Sequence, residues 1–161
     1  MIIHWYVESN TLAGGVQGAI VQQQAAFERF AWTLKENNLA FESMSDKNFD
    51  ELRTVEKISE LLRWAEIQEL VPPYNKNIIK YFKAKRKILS GPDLIVDIRN
   101  SLVHPKPVRR QMLNDISQDM LLEVYRLGQN YLKQLVNKVL DMPAVIIEFP
   151  TYSLEELDGN Y

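Results

Sequence analysis

The run Ile98-Arg99-Asn100-Ser101-Leu102-Val103-His104-Pro105 holds the residue types in this chain best suited to chemistry. On an uninterrupted helix, residues five apart lie about 140° from one another, which would separate Arg99 from His104. Pro105 stops that helix, because a proline pushes the residue before it out of the helical region. His104 therefore stands where the chain leaves the helix and can turn back towards the guanidinium one turn earlier. Asn100, four residues before His104, lies on nearly the same face. A guanidinium offers phosphate oxygens a planar fork of donors and neutralises charge that builds during phosphoryl chemistry. An imidazole gives or takes a proton near neutral pH. RNA carries its own nucleophile, the ribose 2′-hydroxyl, so a base, an acid and a cation suffice to cleave it without a metal. Arg99, Asn100 and His104 are the candidate catalytic residues. One histidine cannot easily be both base and acid in a single step, and a two-fold homodimer would bring a second copy of the cluster.

The surrounding charge favours a polyanion. The 161-residue chain has 19 Lys and Arg against 21 Asp and Glu, a net charge of -2. Between Lys76 and Arg110, however, ten basic residues face two acidic ones, a net of +8 that leaves -10 for the rest. Lys80, Lys83, Lys85, Arg86, Lys87, Lys106, Arg109 and Arg110 are the candidate RNA-binding residues of this sector. The absence of cysteine excludes disulfides, thiolate metal sites, redox pairs and a cysteine nucleophile. Only two histidines are present, His4 and His104. Neither Glu66 and Glu69 nor the Glu155-Glu156 pair stands at metal-ligand spacing from one, so no metal and no cofactor is expected. The opening Met1 to Val7 is too short to span a membrane and lacks the basic start and small-residue cleavage site of a secretory signal. A cytoplasmic location without membrane partners is the expectation.

Hydrophobic spacing predicts the elements that position the cluster, in a chain that is 46% hydrophobic and suits one domain. Val16, Ile20, Phe27, Phe30, Ala31 and Leu34 form the stripe of a first long helix, closed by Asn37-Asn38. Leu52, Val55, Ile58, Leu62 and Ala65 predict a second over about 46–70, stopped by Val71-Pro72-Pro73. A basic helix follows over about 75–89. Ser90-Gly91-Pro92-Asp93 reads as the start of the motif helix, with Ser90 as cap, proline in the first turn and Asp93 at the positive end of the dipole. Ile116, Met120, Val124, Leu127, Tyr131, Leu135 and Val139 mark the last long helix, ended by Asp141-Met142-Pro143. Ala144 to Phe149 reads as a short extended piece, and 151–161 as an acidic tail. The predicted fold is all-α: an antiparallel bundle of four main helices with a short accessory helix, within one domain over 1–150.

Arg99-Asn100-Ser101-Leu102-Val103-His104 resembles the signature of the HEPN superfamily, an arginine, four to six intervening residues and a histidine, often with a polar residue directly after the arginine. Trp5-Tyr6-Val7-Glu8-Ser9-Asn10 is also similar to uncharacterised bacterial HEPN-like domains. The resemblance implies an all-α bundle, usually dimeric, whose paired motifs form one cleft. It implies a metal-independent endoribonuclease of toxin–antitoxin, CRISPR or other anti-phage defence systems, or else a member that binds nucleotides or RNA without cutting. Some toxin members carry a tyrosine two residues beyond the histidine, where this chain has Lys106, which sets it apart from the branch whose tyrosine a partner modifies.

Each residue also has a plainer reading. Arg99 could pair with Asp97, His104 could serve the helix end, and Asn100 could bond the backbone there. His4, among Ile2, Ile3, Trp5 and Tyr6, reads as packed or capping, and Trp5, Trp32 and Trp64 as core. The alternatives to a nuclease are a non-catalytic nucleotide- or RNA-binding module, and a dimerisation domain whose cationic sector meets an acidic protein partner.

Overall fold

A computed structural model describes residues 14–85, 90–104 and 106–141, together with His4 and Val7. Among the described residues from Gly14 onward there are seven helices, and no strand occurs among the described residues. They are α1 (Gly15–Glu36), α2 (Asp46–Glu51), α3 (Thr54–Trp64), α4 (Lys76–Lys85), α5 (Gly91–Val103), α6 (Pro107–Asn114) and α7 (Gln118–Val139). The fold is all-helical. No helix among the described residues is long and apolar enough to cross a membrane.

α1 lies at the centre, packed on α7, α5 and α3. Its predicted stripe is the observed one: Ile20, Phe27, Phe30, Ala31 and Leu34 are buried, with Val16 packed against them. The Asn37 side chain donates to the Thr33 carbonyl at 2.8 Å, and Asn38 takes a positive φ of 52°, which turns the chain out of the helix. Ile116, Met120, Val124, Leu127, Tyr131 and Leu135 of the last stripe are buried likewise, while Val139 is exposed in the final turn.

The single helix expected over 46–70 is two. Leu52 and Arg53 are extended, and the Glu56 carboxylate accepts from both the Arg53 backbone N–H (2.8 Å) and its guanidinium (2.9 Å), so α3 starts afresh with its own cap. Arg53, by bonding it, holds the Glu56 carboxyl below the usual carboxylate range. α3 also ends early. Glu66 enters the left-handed region at φ 61°, and the Ile67 N–H returns to the Leu62 carbonyl at 2.8 Å. Phe49 of α2 meanwhile packs edge-on to Trp32 and Phe41 beneath the Lys57 ammonium.

The basic helix is present as α4, with Ile78 and Phe82 buried and Lys80 and Lys83 exposed. Its start is capped from another helix: the buried Glu123 carboxylate of α7 accepts from the Asn77 and Ile78 backbone N–H groups and the Asn77 side chain at 2.8–3.2 Å. Residues 86–89 lie outside the described residues. So do the extended piece expected at 144–149, the acidic tail at 151–161, and Trp5. Trp32 and Trp64 pack against the core, whereas His4 is exposed rather than packed.

Candidate functional site

The motif helix is fixed at its start. The Ser90 hydroxyl accepts from the Asp93 N–H at 3.3 Å, with Pro92 in the first turn, as the sequence predicts. The Gly91 N–H donates to the Glu69 carbonyl at 2.9 Å, and that carbonyl also accepts from the buried Tyr131 hydroxyl at 3.0 Å. One backbone oxygen thus joins the loop after α3, the start of α5 and the middle of α7. Along α5, Leu94, Ile95, Ile98 and Ser101 are buried, which leaves Arg99 and Asn100 half-buried at the edge of the core.

The far end of α5 behaves as the proline requires. α5 stops at Val103, and His104 is extended (φ −111°, ψ 115°), its N–H donating to the Asn100 carbonyl at 3.1 Å. The Arg99 Nη1 donates to the Asn100 Oδ1 at 3.1 Å, so these two side chains meet directly. The Arg99 Nε is buried and has no hydrogen-bond partner among the described residues. His104 is exposed, and among the described residues no hydrogen bond links its imidazole to Arg99.

Asp97 does not pair with Arg99. It takes the Arg109 guanidinium instead, Nη1 to Oδ1 at 3.2 Å, across the proline-bounded turn to α6. The Ser101 hydroxyl, one helical turn after Asp97, contacts the Met112 sulfur at 3.1 Å and donates to the Asp97 carbonyl at 2.8 Å. The Arg109–Asp97 pair and the Ser101–Met112 contact lay α6 against the motif helix. Spacing alone places Asp97 and Ser101 on one face, yet no periodicity reveals which residues beyond Pro105 meet them.

The candidate RNA-binding residues therefore divide. Lys106 and Arg110 are exposed on the segment that adjoins the cluster, whereas Arg109 is engaged by Asp97. Lys80 and Lys83 are exposed on α4, whose packing partner is α7. The Lys85 side chain, Arg86 and Lys87 lie outside the described residues. Among the described residues, no grouping of three or more His, Asp or Glu could hold a metal ion.

No curated protein and no solved structure matches the chain. A family model does match, that of the YopA C-terminal domain, over residues 1–142, which takes in all seven helices and the whole Arg99 to His104 run. By that match the chain belongs to the YopA C-terminal domain family.

Proposed function

We propose that this YopA C-terminal domain is a HEPN-like, metal-independent endoribonuclease acting as a homodimer in the cytoplasm, in anti-phage defence or a toxin–antitoxin pair. One observation carries the reading. Arg99 has a carboxylate two residues away, yet that carboxylate pairs elsewhere, and beside the Asn100 amide Arg99 keeps a buried Nε–H without an acceptor among the described residues. A buried donor left unpaired is costly, and an anion at the site would satisfy it. In this reading α1, α3, α5 and α7, which all pack on one another, are the four main helices of an antiparallel bundle.

The chemistry is a transfer within RNA. The 2′-hydroxyl loses its proton to an imidazole as its oxygen bonds to phosphorus. The bond to the 5′-oxygen breaks, and that oxygen takes a proton, leaving a cyclic phosphate and a 5′-hydroxyl. Arg99 neutralises the charge on the phosphoryl oxygens, Asn100 holds the guanidinium plane through its Oδ1, and His104 moves protons, the partner subunit's His104 supplying the second imidazole. The test is incubation of the purified protein with mixed RNA in EDTA, beside Arg99→Ala and His104→Ala. Cleavage by the intact chain, lost in both variants, is expected; cleavage that survives both removes the assignment.

The exposed His104 imidazole, without a hydrogen bond to Arg99, favours a second reading: a non-catalytic module that holds RNA or a nucleotide through Arg99 and the exposed lysines. Salt-dependent binding that needs Arg99, without any cleavage, is its signature.

A further inference from the structure

We propose that the Asp97–Arg109 ion pair is an autoinhibitory contact: it holds Arg109, and with it α6, against the motif helix until a phosphodiester of RNA displaces the carboxylate. The inference rests on the RNA-directed reading of the Arg99 cluster and adds a cation and a movable element to it.

α6 is attached in an unusual way. It buries none of its own residues, and its packing partner is α5. Val108 in its first turn is 80% exposed, so the hydrophobic effect contributes little to holding that end. Among the described residues, α6 is held by the Arg109 to Asp97 pair, the Ser101 hydroxyl against the Met112 sulfur, and partial burial of Met112 and Leu113. Neither partner of the ion pair is deep: the side chains are 32% and 37% exposed. A pair at that depth is solvated, screened by salt and open to exchange. A phosphodiester suits the exchange, because a guanidinium presents the same fork of donors to carboxylate and phosphate oxygens.

The turn that leads to α6 permits the motion. His104 and Lys106 are both extended, on either side of Pro105, so the helix axis is already broken between α5 and α6. Lys106 and Arg110 are exposed, at the start of α6 and next to Arg109. A phosphate that captured Arg109 would therefore meet two further cations, while the Asp97 carboxylate, one turn before Ser101 on α5, would lose its ion pair with α6. Asp97 thus competes with the phosphate for the Arg109 guanidinium.

The experiment measures binding of a labelled single-stranded RNA across a salt series, for the intact chain, Asp97→Asn, Arg109→Gln and the double variant. Loss of a phosphate contact lowers the slope of log affinity against log salt by about 0.7 on a single strand. Asp97→Asn is expected to bind several-fold tighter with a steeper slope, Arg109→Gln to bind more weakly with a shallower one, and the double variant to lose the gain. Removal of a negative charge alone would tighten binding whether or not Arg109 is present, so a gain that persists in the double variant overturns the proposal. Unchanged affinity in Asp97→Asn overturns it too. Should Asp97→Asn fail to fold by circular dichroism, an unchanged slope in Arg109→Gln shows that Arg109 never reaches phosphate and has the same force. RNA binding that needs Arg99 but ignores Asp97 and Arg109 defeats this inference alone. Absence of RNA binding in every variant defeats the underlying reading with it.

Discussion

Gly91, the first residue of the motif helix, lies directly beneath the Tyr131 phenol: a Cβ added there would stand 2.2 Å from the hydroxyl oxygen and 2.9 Å from the ring. Tyr131 cannot yield the space. Its ring is buried in α7 and its hydroxyl is bonded to the same Glu69 carbonyl that receives the Gly91 N–H. Gly91→Ala is therefore expected to destabilise the fold by about 1–3 kcal/mol, the range for overpacking a filled core. Urea unfolding measures it. Tyr131→Phe in the same background removes the nearest atom and leaves the ring contact, so a partial recovery of the midpoint is expected.

The same phenol gives a pH dependence at the alkaline end. Burial pushes the Tyr131 pKa upwards from the ordinary value of 10.0. Between the unfolded and the folded pKa, the unfolded chain releases a proton that the folded one keeps, so stability falls as pH rises. Below about pH 10 this contribution is whole, and above it is lost at roughly 1.4 kcal/mol per pH unit. Thermal melts from pH 8 to 11 should show the decline, and Tyr131→Phe should flatten it. An equal decline in both proteins would assign it to other groups.

What could be read from the sequence, and what could not, divides along the same line. The Ser90 cap, the Pro105 stop and the α1 and α7 stripes are local signals, in which a residue acts on the backbone within four positions, and each appears in the structure. The break between α2 and α3 was also local, in the Arg53 and Glu56 spacing, but the apolar period runs through it and hides it. Gly91 under Tyr131, Glu123 at the start of α4 and Arg109 on Asp97 join residues 40, 46 and 12 apart, and no periodicity pairs them. Arg109 shows the consequence for the site: in the sequence it is one more cation of the basic sector, and in the fold it is bound to an acid.

The α1–α7 seam offers a parallel test of close packing. Gln23, fully buried, donates its amide to the Tyr125 carbonyl at 2.8 Å, and its Oε1 would lie 2.2 Å from a Cβ on Gly128. Gly128→Ala forces the amide off its acceptor or the helices apart. A loss of about 1–3 kcal/mol in urea unfolding is expected, less in a Gln23→Ala background where the obstructing group is gone. Equal losses in the two backgrounds would show that the seam adjusts elsewhere.

Glu123 links the stability of the core to the basic helix. Its carboxylate receives three donors at the start of α4, two of them backbone N–H groups that nothing else in the helix can satisfy. Glu123→Gln keeps the shape, but the amide has one acceptor oxygen, and its NH2 faces donors. Loss of a charged, buried set of hydrogen bonds is expected to cost about 1–3 kcal/mol. The effect should be uneven along the chain, because the hydrogen bonds of this cap go to α4. Hydrogen exchange is the measurement: amides of Asn77, Ile78 and the following turn should exchange faster in Glu123→Gln, while those of Phe27, Phe30 and Ile98 change only with the global stability. Uniform acceleration across all helices would mean that Glu123 supports the whole core and not the placement of Lys80 and Lys83.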